Sequence, residues 1–196
     1  MQDLIGGLLG AMGGDEVKKL SSVLGADSQT TEKAMSAAMP ALLGALSRNA
    51  ASSGGASALA GALDRDHDGS ILDDIGGLLA GGDTGAGASI LGHVLGDREP
   101  AVAANVARNS GMDLSSVQKL LPMLAPLVLG ALGKQKRQSG LDASGLASQL
   151  FGAQEQVERE APGMLGALLD ADGDGDSTDD ILKLGAGLLG GMFGKR

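Results

Sequence analysis

Cysteine, tryptophan and tyrosine are absent from this chain of 196 residues, and phenylalanine and histidine each occur twice. Without cysteine there is no disulfide framework, no thiolate metal ligand and no thiol nucleophile. The lack of aromatics removes base-stacking platforms, and an excess of 24 acidic over 15 basic residues removes the phosphate contacts on which nucleic-acid affinity rests. Aromatic and β-branched strand signals are equally scarce. What remains is an aliphatic core of Leu, Ala, Val, Ile and Met and an all-α fold with no sheet of consequence.

Long apolar runs are missing too. The longest, LLPMLAPLVLGALG at 120–133, has 14 residues between Lys119 and Lys134 and carries two prolines, whereas a bilayer span needs about 20. The opening MQDLIGG has no basic stretch of the kind that begins a secretory signal, so the expected location is cytoplasmic. Catalytic signatures are also lacking. GALGKQKR at 130–137 has no Ser or Thr after Gly-Lys and so is not a phosphate loop, and His93 in SILGHVLG reads as a packed or surface residue. The chain is expected not to be an enzyme.

What is abundant is aspartate, and it is concentrated. Asp64, Asp66, Asp68, Asp73 and Asp74 lie in one segment, and Asp170, Asp172, Asp174, Asp176, Asp179 and Asp180 in another. These eleven carry the acidity: without the two segments, the net charge of −9 becomes about +1. Carboxylates packed this closely repel one another by about 1 kcal/mol per close pair in water, and a bound cation is the natural compensation.

Each segment contains DxDxDG, the start of a calcium loop. Side chains at positions 1, 3 and 5 turn inward, Gly at 6 permits the bend and position 7 offers its carbonyl. These positions are Asp64, Asp66, Asp68, Gly69 and Ser70 in the first loop, and Asp170, Asp172, Asp174, Gly175 and Asp176 in the second. Carboxylate oxygens without Cys or His select Ca²⁺, or less tightly Mg²⁺ or Mn²⁺. Neither loop has the EF-hand glutamate at position 12, where Ile75 and Ile181 stand. The pairs Asp73/Asp74 and Asp179/Asp180 would have to close the shell, with His67 pointing outward. The competing reading is that the aspartates stay hydrated and cap the following helix.

The two loops align at an offset of 106, and an upstream block aligns at an offset of 86, pairing Gly25, Asp27, Lys33, Pro40 and Leu43–Leu46 with Gly111, Asp113, Lys119, Pro126 and Leu129–Leu132. The chain thus reads as two copies of one short-helix unit, 1–82 and 83–196, related by a pseudo-twofold axis, with a 20-residue insertion within 133–168 of the second. Helices are expected over 28–48 and 114–135, with Asp27 and Asp113 as N-caps, a capping box at Ser115 and Gln118, and a kink or break at Pro40 and Pro126. The stretches 52–61 and 81–89, rich in Ser and Gly, read as loops. The remaining glycines divide between turns and close helix contacts.

The pattern LxxDxDGxxxDDI, followed by a Leu/Gly-rich segment and paired with PALLGAL at 40–46, resembles the bacterial domain of unknown function 937 family, with YidB-like helical proteins as distant relatives. The resemblance implies an all-α, cytoplasmic bacterial protein and brings no established activity. Three functions are expected in order: a non-enzymatic calcium-binding helical protein whose cation stabilises packing or self-association; a cation-independent, self-assembling scaffold of Leu/Gly-rich helices; and membrane-surface association through 179–196, which the acids at its start disfavour.

Overall fold

The computed structural model describes residues 13–81 and 84–160, and among these there is no strand. The helices are α1 (Gly14–Leu24), α2 (Ser28–Ala50), α3 (Ser53–Arg65), α4 (Ile75–Gly81), α5 (Gly85–Val94), α6 (Glu99–Ser110), α7 (Leu114–Ser139) and α8 (Ala143–Glu160). A first 3₁₀ turn (Ser70–Asp74) precedes α4, and a second (Gly96–Arg98) leads into α6.

The two long helices form the centre. Residues 38–47 of α2 and 120–130 of α7 are buried without interruption, the signature of helices that are apolar all round and enclosed by others. They pack against each other. Around them, α2 is covered by α1, α3, α6 and α8, and α7 by α3, α5, α6 and the first 3₁₀ turn. One aliphatic core joins both halves of the chain, with Leu20, Met35, Leu63, Leu91, Leu124 and Leu146 at 0–1% exposure.

The long helices begin with the same punctuation. Gly25 and Gly111 both adopt left-handed conformations, with φ of 67° and 75°, ending α1 and α6. Asp27 then caps α2, accepting a hydrogen bond from the Thr30 N–H at 2.9 Å. Asp113 occupies the same position before α7 but its side chain makes no capping bond, and with Asp113 at the cap the expected Ser115–Gln118 box does not form.

Of the kink or break expected at Pro40 and Pro126, the break does not occur: both lie inside continuous helices, as does Pro122. Proline removes one N–H and frees the carbonyl four residues earlier, which for Pro126 is that of Pro122. Gly87 of α5 lies against that carbonyl so closely that a Cβ there would sit 1.8 Å from the oxygen. A glycine Cα–H can approach a freed carbonyl where any side chain would collide. Burial thus overrides the proline signal, and α7 becomes a 26-residue helix long and apolar enough to cross a membrane, although 78% of its most apolar window is buried by its neighbours.

Both stretches expected to be loops are largely helical. Ser52 accepts a hydrogen bond from the Gly55 N–H at 3.0 Å and starts α3, and Ala56, Ala60 and Leu63 then form a buried stripe at helical spacing. Residues 85–94 form α5, which buries Gly87 and Leu91. Small residues that resemble linker composition are here the surfaces that allow close helix packing. In the stretch expected to be inserted, α7 continues to Ser139, Gly140 turns the chain at φ 61°, and α8 returns to bury Leu146 and Leu150 against α2 and α3.

Candidate functional site: the first acidic loop

Asp64 stands in the last turn of α3 and Asp66 is its C-cap residue. The chain turns at Asp68, whose Oδ1 accepts from the Ser70 N–H at 3.0 Å, and at Gly69, which is left-handed at φ 95°. The 3₁₀ turn follows. Asp74 then accepts from the Gly77 N–H at 2.8 Å, capping α4, while Ile75 is buried at 4% exposure. Position 12 of the motif therefore points into the core, and one of the two aspartates expected to close a metal shell serves as a helix cap. Asp73 is exposed.

The loop lies on α7. A Cβ at Gly133 would meet the His67 carbonyl at 1.9 Å, and one at Gly69 would meet the Lys134 Cβ at 2.8 Å. Only backbone this bare on both surfaces can approach so closely. The approach brings the base-rich turn of α7 to the acids: Lys136 Nζ is 2.6 Å from Asp64 Oδ1, and Arg137 Nη1 is 3.3 Å from Asp68 Oδ2. Arg137 also donates to the Asp68 backbone carbonyl. Asp66 has Arg65 at 4.0 Å, both exposed.

The electrostatics follow from these bonds. Hydrogen bonds from Ser70, then the Arg137 charge, hold the Asp68 carboxyl below the ordinary carboxylate range. Burial lowers His67, and the Asp66 charge only partly opposes it, so the imidazole favours its neutral form. His67 is half-buried.

The structure thus brings together Asp64 and Asp68 through Lys136 and Arg137, leaves Asp66 and Asp73 at the surface, and uses Asp74 and the Ser70 amide in local turns. Among the described residues no three His, Cys, Asp or Glu side chains converge in a way that could hold a metal ion. The second-loop residues Asp170, Asp172, Asp174, Asp176, Asp179 and Asp180 lie outside the described residues, as does the segment 179–196. Lys136 and Arg137 were missed as partners of the loop. Their signal is the run KQKR at 134–137, the densest basic stretch near the core helices.

The sequence matches the family described as bacterial protein of unknown function (DUF937) over residues 7–135. The chain belongs to this family. The DUF937 match takes in α1 to α6, the whole first acidic loop and most of α7, and stops just before Lys136 and Arg137. Comparison with curated proteins and with solved structures gave no match.

Proposed function

We propose that this DUF937 protein is a non-enzymatic helical scaffold, in which loop 64–74 is an electrostatic staple that fastens α3 and α4 to α7. The observation that carries this reading is the seating of Lys136, whose side chain is 11% exposed, on Asp64, with Nζ 2.6 Å from Oδ1. The clustered carboxylates need cations, and the chain supplies its own. Asp64, Asp68 and Asp74 each have a structural partner, which supports a packing role over acid–base work. The matching roles of Gly25 and Gly111, and the internal positions of Pro40 and Pro126, support the reading of two related units sharing one core. Burial of α7 supports a particle that functions in water, in our reading in the cytoplasm.

A calcium-binding reading is favoured by one feature, the Asp68–Gly69–Ser70 turn, which has the left-handed glycine that DxDxDG loops use. In that case Asp64, Asp66, Asp68, Ser70, Asp73 and Asp74 would surround the ion, and Lys136 and Arg137 would have to withdraw. Calorimetric titration of Ca²⁺ into a chain carrying Asp170→Asn, Asp172→Asn and Asp174→Asn separates the two readings. The staple gives no saturable heat; saturable heat that increases on adding Lys136→Met installs the calcium reading instead. Light scattering tests the scaffold: a solution mass of 19.3 kDa at all concentrations, with or without calcium, removes self-association.

A further inference from the structure

Beside α3 runs a groove of about 490 Å³ that the staple does not use. Its floor is aliphatic, from Leu46 of α2, Leu59 of α3, Ile90 of α5 and Leu129 of α7. Both Gly55 and Arg65 line it, so it follows α3 for about 15 Å at 1.5 Å per residue. Its polar lining is sparse. Asn49 is engaged by the carbonyls of Val94 and Ala45, at 3.2 and 3.4 Å. Arg65 and His67 stand where α3 ends, and the Arg65 side chain is 74% exposed, with the Asp66 carboxylate 4.0 Å from its Nε. None of the groove's lining side chains among the described residues is acidic, in a chain of net charge −9.

An elongated aliphatic trough with one guanidinium and two imidazoles, those of His67 and His93, in its lining has the form of a small-ligand site, apolar with a few oriented polar groups and within the usual size range. We propose that it binds a medium-chain alkyl carboxylate, with the chain along Leu46, Leu59, Ile90 and Leu129 and the carboxylate at Arg65, with the His67 edge alongside. The guanidinium offers paired donors that fit a carboxylate. An alcohol of the same length would keep the apolar contact and lose the charge. A second copy of this chain seated in the groove is the competing occupant.

Titration of the full chain with octanoate, decanoate and dodecanoate, each below its micelle threshold, tests the proposal. One-site binding should tighten about fourfold per methylene as the tail leaves water. Ala62→Leu, which fills the groove from α3, should weaken dodecanoate at least about tenfold with helicity unchanged, and Ala58→Leu on the same helix serves if the first variant does not fold. Arg65→Gln should abolish the preference for dodecanoate over dodecanol. No saturable heat for any chain length overturns the proposal. So does binding indifferent to the filled groove, a headgroup preference that survives Arg65→Gln, or a dimer that Ala62→Leu dissociates.

Discussion

Replacing Asp64 by alanine leaves Lys136, whose side chain is only 11% exposed, without the partner that stands 2.6 Å from its ammonium. Breaking a fully buried pair costs about 3–5 kcal/mol, and loss of a hydrogen bond to a charged group about 1.5–3 kcal/mol. Because Lys136 keeps some access to water and Asp64 is 54% exposed, the expected loss is about 2 kcal/mol, near the lower figures. Lys136→Met is different. Methionine preserves the packing of the stem, no buried charge remains, and the half-exposed Asp64 rehydrates, so the loss should be about 0.5 kcal/mol. The double variant should resemble Lys136→Met, giving a coupling of about 2 kcal/mol in a mutant cycle. Urea unfolding followed by far-UV circular dichroism is the assay, since the chain has no tryptophan or tyrosine to report tertiary structure. In thermal melts the gap between the single variants corresponds to about 3–6 °C. Losses that simply add in the double variant would mean that the Asp64–Lys136 pair contributes nothing to the contact. The staple would then be refuted.

Gly87→Ala places a methyl group 1.8 Å from the Pro122 carbonyl and should cost about 2–3 kcal/mol, whereas Gly92→Ala on the same helix meets nothing within 4 Å and should be neutral or stabilise by up to about 1 kcal/mol; melts of the two variants check the contrast. Asp27→Ala should lower the melting temperature and Asp113→Ala should leave it nearly unchanged, because only Asp27 accepts a backbone N–H; equal effects would deny the difference in capping. Burial holds His67 below its ordinary value of 6.5, so the unfolded chain takes up a proton that the folded chain resists. The stability contributed by neutral His67 is complete above about pH 6.5 and declines as the pH falls below it. Urea midpoints at about pH 7.5 and 5.5 should therefore differ less in His67→Gln than in the parent chain, and an unchanged difference would exclude His67 as a source of acid sensitivity.

The legible parts of this fold were those written in local chemistry. Leu and Ala at helical spacing marked α2 and α7, Asp27 marked a cap, and the scarcity of strand formers marked an all-helical chain. Glycine was ambiguous because one residue type serves two ends. At Gly69 it permits a left-handed turn, while at Gly87 and Gly133 it removes a side chain that would strike another backbone, and nothing nearby in sequence separates these uses. The Ser/Gly stretches that became α3 and α5 misled for the same reason: their helicity is stabilised by burial on α2 and α7, contacts remote in sequence. Proline misled at 126 because the penalty it carries in an isolated helix is offset when a neighbouring helix covers the freed carbonyl.

By itself, the sequence determined an aliphatic helical protein with its negative charge gathered in two aspartate-rich segments. Which cations meet Asp64 and Asp68 was a tertiary decision. Lys136 and Arg137 stand some seventy residues away, and they reach the loop only because Gly69 and Gly133 let its backbone settle on α7. Local composition fixes how much charge a segment carries, but its neutralisation depends on distance in space, which is set by packing.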